Sequence, residues 1–334
     1  MTKPRVTVLA LGGTIAMTRS DQGGVVPTLT GDMLVAAVPA LTEVAAVDAR
    51  SFRQLPGAHL GFDDLEALAA AVEEAVAGGA HGVVVTQGTD TIEETAFALD
   101  RLLGIEAPVV VTGAMRNPTV PGADGPANLL AAVQVAASEA ARGLGCLVVL
   151  NDEIHAARFL RKTHTSSPAA FTSPSAGPIG WVGEGRVRLV ARVERVPVVP
   201  QSREAGEARV ALVTVGLGDD GALIDAARQA GFDGMVVEAT GGGHVAPAVA
   251  DALERAAAAM PVVLASRTGA GEILARTYGF PGGEIDLQRR GLIRAGWLDG
   301  LKAKVLLTLL LRRGQGGRDN VSAAFRPWGG GAGS

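Results

Sequence analysis

Short, nearly all-apolar runs rich in β-branched residues punctuate this chain: Val6 to Leu11, Val83 to Thr86, Val109 to Thr112, Leu147 to Leu150, Val210 to Val215, Met235 to Glu238 and Val262 to Ala265. None alternates apolar with polar, so each reads as a strand covered on both faces. Between many of them lie longer stretches with apolar residues at three and four spacing: Leu65 to Val76, Glu93 to Leu103, Ala127 to Ala141, Leu223 to Ala230, Val249 to Met260 and Leu301 to Leu311. That spacing is the mark of a helix with one buried face. Strand, helix, strand alternation predicts an α/β fold with mostly parallel sheets and right-handed crossovers.

At about 150 residues per domain, 334 residues make roughly two domains. The rhythm breaks between about Val190 and Ala208, where Arg195-Val196-Pro197 through Pro200-Gln201-Ser202-Arg203-Glu204 replace it. The expected organisation is a larger N-terminal domain over 1–192, a linker over 193–208 and a smaller C-terminal α/β domain over 209–334. The low-complexity tail Gly329 to Ser334 is expected to be mobile. Hydrophobic residues at 48% and charged residues at 19% can build a sizeable core, and a net charge of −4 offers no basic footprint for nucleic acid. No run approaches the roughly 18 apolar residues that would mark a membrane span. Val6 to Leu11 is shorter than a secretory h-region, so the expected location is the cytoplasm. One cysteine, Cys146, and five scattered histidines give no metal-ligand spacing, and no metal is expected. Cys146 itself reads as a small buried hydrophobe.

In an open parallel sheet, ligands bind beyond the carboxyl ends of the strands. Those positions carry Leu11-Gly12-Gly13-Thr14-Ile15-Ala16, then Thr86-Gln87-Gly88-Thr89-Asp90-Thr91 with Glu93-Glu94-Thr95, then Thr112-Gly113-Ala114-Met115-Arg116 with Ala123-Asp124-Gly125-Pro126-Ala127-Asn128. Each has a bland reading. Gly12 and Gly13 suit a tight turn of positive φ, and Thr14, Thr89 and Asp90 suit helix caps. The dinucleotide reading lacks the third glycine of G-x-G-x-x-G and a following strand-end acid. The catalytic reading takes a threonine hydroxyl as nucleophile, a group to accept its proton and donors for an oxyanion. Lys162, in Arg161-Lys162-Thr163-His164-Thr165, can be that acceptor if burial near Thr89 and Asp90 favours its neutral amine; otherwise it is a solvated loop cation.

Taken together, Leu11-Gly12-Gly13-Thr14-Ile15-Ala16, Gln87-Gly88-Thr89-Asp90-Thr91-Ile92-Glu93-Glu94-Thr95-Ala96, Gly113-Ala114-Met115-Arg116 with Ala123-Asp124-Gly125-Pro126, and the late Ala295-Gly296-Trp297-Leu298 through Lys302-Ala303-Lys304-Val305-Leu306-Leu307 resemble the bacterial-type L-asparaginase/glutaminase family. The resemblance extends over nearly the whole chain. It implies a threonine amidohydrolase that turns asparagine into aspartate and ammonia without a cofactor. By it, Thr14 is the primary nucleophile on a closing flap, Thr89 and Lys162 are a second threonine and its base, and Asp90 binds the substrate α-amino group. The implied substrate-binding set is Gly13, Ala58, His59, Gly88, Thr89, Asp90 and Ala114, with Glu284 reaching in from a neighbouring subunit. That last role implies a homotetramer built as a dimer of dimers. His244, in Gly241-Gly242-Gly243-His244, falls where the family places residues near the neighbour's substrate, and a turn histidine is its alternative reading.

The chain departs from the family in two places. Many members carry a flap tyrosine, yet Asp21-Gln22-Gly23-Gly24-Val25-Val26-Pro27-Thr28 has none; either Tyr278, the single tyrosine of the chain, or a water takes that role, or the flap works differently. Where the family often has Gly-Ser-Gln, this chain has Gly57-Ala58-His59, in which Ala58 offers only backbone and His59 can replace an amide. His155 and His164 read as structural. The expected activity is therefore asparaginase with some glutaminase side activity, since a methylene is worth only about 1–3 kcal/mol in a pocket. A glutaminase-preferring or dual enzyme is the alternative. A tRNA-dependent amidotransferase subunit needs an added tRNA-contacting domain. From another class, a non-catalytic amino-acid sensor fits the missing flap tyrosine but not the retained Thr14, Thr89, Asp90 and Lys162.

Overall fold

Valine-rich segments that leave no polar face for water become the centre of an eight-stranded sheet. The computed structural model describes residues 2–13, 15, 17–19, 25–27, 30–199 and 206–332, in two compact units, Met1–Val198 and Val199–Ser334. In the first unit the strands are β1 (Arg5–Ala10), a short hairpin of β2 (Met17–Arg19) and β3 (Val25–Pro27), β4 (Ala46–Ser51), β5 (Gly82–Thr86), β6 (Val109–Thr112), β7 (Cys146–Leu150), β8 (Glu153–Ala156), β9 (Arg161–Lys162), β10 (Phe171–Thr172), β11 (Gly180–Gly183) and β12 (Arg186–Leu189). The large sheet runs β12-β11-β8-β7-β6-β5-β1-β4. From β4 to β7 all pairs are parallel. Strands β8, β11 and β12 then extend the sheet antiparallel.

The helices of this unit are α1 (Gly31–Ala36), α2 (Leu41–Val44), α3 (Phe62–Ala77), α4 (Ile92–Leu102) and α5 (Gly125–Ala136). Helix α5 lies on β5, β6 and β7. Its Leu129, Ala132, Val133 and Ala136 join Val8, Val84, Val110 and Leu147 in one core, all almost wholly buried. Each such valine or leucine is worth about 1.5–3 kcal/mol when removed from water. One expected helix differs, and some strands carried no signal in the sequence. The helix expected over Ala127 to Ala141 ends at Ala136 and is followed by a separate 3₁₀ turn, Glu139–Ala141. The antiparallel strands and β4 lacked a continuous apolar run; β4 alternates exposed and half-buried residues, as an edge strand can.

The second unit has strands β13 (Val210–Thr214), β14 (Gly234–Ala239), β15 (Val262–Ser266) and β16 (Ile293–Arg294), in that order and all parallel. Its helices are α6 (Ala222–Gln229), α7 (Pro247–Ala257), α8 (Glu284–Arg289), α9 (Gly300–Leu311) and α10 (Arg318–Phe325). Met235, Val237 and Leu264 of the sheet meet Val249, Leu253 and Ala256 of α7 in the core. Of the tail expected to be mobile, the described residues Gly329 to Ala332 are instead tied down. Arg294 and Gly331 exchange backbone hydrogen bonds at 3.1 and 2.8 Å, and Ala332 N–H donates to Ser322 Oγ at 2.7 Å. Trp328 is fully buried, edge-on to Trp297.

Candidate active site

The chain leaves β1 towards β4 on one side and then continues through β5, β6 and β7 on the other. Connections that diverge this way open a crevice at the carboxyl ends of β1 and β5. Glycines line its floor. Gly12 and Gly13 have φ of +100° and +84°, and a Cβ on Gly13 would stand 2.0 Å from the backbone nitrogen of Gly88. A Cβ on Gly88 would in turn lie 2.8 Å from Gly57 N. Three backbones therefore meet where a side chain on Gly13 or Gly88 would clash. Thr91 fastens the contact, its hydroxyl donating to Gly57 O at 2.9 Å.

On this floor the 3₁₀ turn Thr89–Thr91 follows β5. Lys162 arrives from the small hairpin of β9 and β10, where it pairs with the buried Phe171. Its Nζ donates to Thr89 Oγ1 at 3.0 Å and to Asp90 Oδ1 at 2.7 Å. Thr89 is 6% exposed and the Lys162 side chain 16%, whereas Asp90 is 67% exposed. The cluster therefore offers a covered hydroxyl beside an amine, with a carboxylate open to an arriving ligand. Helix capping is not what these residues do: the N-cap of α4 is Thr91, which makes no side-chain cap bond.

At the end of β6, Gly113 and Ala114 are buried. Asp124 accepts from Met115 N–H and Arg116 N–H at 3.0 and 2.8 Å, and Asn128 Nδ2 donates to Gly113 O at 3.0 Å. The sequence reading quoted Asp124 and Asn128 without giving them this part; their spacing of four on one helix face was the available signal. Ala58 and His59 are exposed on the 3₁₀ turn Gly57–His59. Thr14 lies outside the described residues, as do Asp21 to Gly24 and Thr28 of the tyrosine-free segment.

In the second unit, Glu284 opens α8 with its side chain fully covered. Its Oε1 accepts from Thr277 N–H and Tyr278 N–H, both at 2.7 Å, and Oε2 lies 3.2 Å from His244 Nε2. Burial acts to raise its carboxyl, but those backbone donors, its own N–H and the His244 ring hold it below the ordinary glutamate value. His244 stacks edge-on against Tyr278 at 4.8 Å and Phe280 at 5.3 Å, and both of those rings are exposed. His164 Nδ1 caps a turn, accepting from Ser166 N–H and Ser167 N–H at 3.0 Å. Cys146 opens β7, buried as expected, and burial and the nearby Asp100 push its thiol up.

Comparison with known proteins places these features in context. Residues 5–195 match the asparaginase N-terminal family and residues 209–325 the glutaminase/asparaginase C-terminal domain. A probable L-asparaginase of Deinococcus radiodurans is 38% identical over 328 residues, 96% of this chain and 97% of that protein. The L-asparaginase of Bacillus licheniformis is 33% identical over 309 residues, 92% of this chain and 95% of its own length. Among solved structures, a probable cytoplasmic L-asparaginase from Campylobacter jejuni superposes with a TM-score of 0.88 at 30% identity, covering 97% of this chain and 99% of that one.

Proposed function

This chain belongs to the asparaginase family along both of its matched segments, and on that premise we propose that it hydrolyses L-asparagine to L-aspartate and ammonia. The observation that carries the reading is Lys162 Nζ bonded at once to Thr89 Oγ1 and Asp90 Oδ1 at the carboxyl end of β5. A hydroxyl needs a base to become a nucleophile or to activate one, and an amine at 3.0 Å is within reach for that proton. Thr14 is the nucleophile by family resemblance, with Thr89 and Lys162 as the second hydroxyl and its base. The exposed Asp90 carboxylate receives the substrate α-ammonium. Backbone N–H groups near Thr89 and the neighbouring glycine turn are the oxyanion donors in this reading. The remaining assignments are Gly13, Gly88 and Ala114 as the walls around the side-chain amide, and Ala58 and His59 towards the substrate carboxylate.

Glutamine is the slower substrate in this reading. The protein works in the cytoplasm as a homotetramer built as a dimer of dimers, with Glu284 and its partner His244 facing a neighbour's site. No helix among the described residues is long and apolar enough to cross a membrane. Ammonia release from asparagine and glutamine at matched concentration, with Thr89→Ala as control, tests the assignment. Strong release from asparagine that vanishes in Thr89→Ala is the expected result. Equal release by the variant overturns the role of Thr89, and no release from either substrate overturns the amidohydrolase reading.

A further inference from the structure

The hairpin that delivers Lys162 is a ladder of two residues on each strand, separate from the large sheet. An isolated two-stranded ladder of this size is marginal in water. Yet it must hold an amine within hydrogen-bond distance of Thr89. Phe171 supplies one anchor by burial, and Thr163 supplies a second through N–H and Oγ1 bonds to Ala170 O at 2.7 and 3.0 Å. A third comes from outside the hairpin. His155, on β8 of the large sheet and 1% exposed, has Nδ1 2.9 Å from the Oγ of Ser173, the residue directly after β10.

Ser173, His155 and Glu153 form a hydroxyl, imidazole and carboxylate series, the last contact being 3.3 Å from Nε2 without hydrogen-bond alignment. It is not a second nucleophilic site. Ser173 and His155 are both buried, so no substrate carbonyl can reach the hydroxyl. The imidazole is also kept neutral: burial lowers its titration below the ordinary 6.5, against the opposing pull of Glu153. A neutral ring can hold one defined tautomer and bond Ser173 through Nδ1 without a charge to solvate. Ser173 O meanwhile accepts from Ala176 N–H and Gly177 N–H at 3.1 and 2.8 Å, closing the turn behind the hairpin.

We infer that His155 and Ser173 are positioning residues that brace the β9–β10 hairpin against the large sheet and so set the Lys162 amine against Thr89. The inference rests on the proposed amidohydrolase reading for its kinetic consequence. Its structural consequence is independent of that reading.

The test combines kinetics with amine labelling of the full-length protein by an acylating reagent, read by mass spectrometry with Lys3 and Lys304 as internal references. Ser173→Ala is expected to lower kcat roughly 10- to 100-fold with KM nearly unchanged, the scale of loss when a reacting group is misplaced by up to about 1 Å. It should also raise Lys162 labelling relative to the two reference lysines. His155→Leu should do the same. His155→Asn, whose amide can replace Nδ1, should restore both values. The double variant Ser173→Ala with His155→Leu should be no worse than either single change, because one bond is being removed twice. Wild-type kcat and labelling in Ser173→Ala overturn the brace, as does equal impairment by His155→Asn and His155→Leu. If the wild type releases ammonia from neither asparagine nor glutamine, the functional reading fails, and the labelling ratios still decide the brace.

Discussion

Two of the places in the first unit where a carboxylate meets a cation differ sharply in their access to water. At the crevice, Asp90 is 67% exposed beside a Lys162 that is 16% exposed. Behind α4, Asp100, Arg101 and Arg158 are 1%, 1% and 5% exposed. Every bond of Asp100 is spent inside: Oδ1 accepts from Cys146 N–H, and Oδ2 from Arg101 and Arg158 at 2.7 and 3.3 Å. Burial acts to raise this carboxyl, and the two guanidiniums outweigh it, leaving it below the ordinary aspartate value. Through Nη1, Arg158 also donates to the carbonyl of Glu194 and Arg101 to those of Val196 and Pro197. The sealed cluster therefore fastens the chain near the end of the unit, whereas the other keeps a carboxylate open to an arriving ligand beside a covered hydroxyl. Pairing alone does not distinguish chemistry from architecture; access to solvent does.

The sharpest way to break that contrast is to remove one group from each cluster. Lys162→Met should cut kcat/KM by roughly 10²- to 10⁴-fold, the usual worth of a general base, with an unchanged urea midpoint. Asp100→Ala should do the reverse. Leaving two guanidiniums buried without their carboxylate costs about 3–5 kcal/mol, read as a lower urea midpoint, with activity per folded molecule retained. A stable Asp100→Ala protein would show that the sealed cluster is dispensable.

A smaller effect is expected in the second unit. Glu284→Gln keeps one acceptor for the Thr277 and Tyr278 N–H groups but loses the charge, at about 1–3 kcal/mol. Because the Glu284 carboxyl lies below its ordinary 4.5 in the folded chain, its stabilisation is present in full above that value. It is lost as pH falls through the lower folded value. The variant should therefore lose stability at neutral pH and lack that acid limb. The smallest effect concerns His155. Its folded titration is depressed below 6.5, so the unfolded chain takes the proton first, and stability falls as pH drops through that window. His155→Asn should flatten the difference in urea midpoint between about pH 7.5 and about pH 5.5. An unaltered slope would assign the acid sensitivity elsewhere.

Much of the fold was legible because the central strands are buried on both faces. Val109 to Thr112 was read with its observed bounds, and Val6 to Leu11 within one residue at each end. Strand β4 was not, because Ala46-Val47-Asp48-Ala49-Arg50-Ser51 has no apolar run and gains its place only from pairing with β1. Thr89, Asp90 and Lys162 were nominated together from the sequence, and the structure brings them within hydrogen-bond reach. The bond from His155 to Ser173 was invisible for a different reason. Eighteen positions separate them, and nothing local marks a buried histidine that reaches across two sheets. The covered state of Glu284 was equally hidden, since it depends on amides of Thr277 and Tyr278 that any residues could supply.

The final glycines also have a bearing on how this protein is handled. Strand β16 is the outermost of the small sheet, and Gly331 satisfies the amide and carbonyl of Arg294 along its open flank. Gly330 lies so close to this strand that a Cβ there would stand 2.1 Å from Arg294 O. The low-complexity stretch thus shields a β-edge that would otherwise template association with other chains. Cutting the chain back before Gly329 should expose that edge and raise aggregation, read by light scattering against the uncut protein.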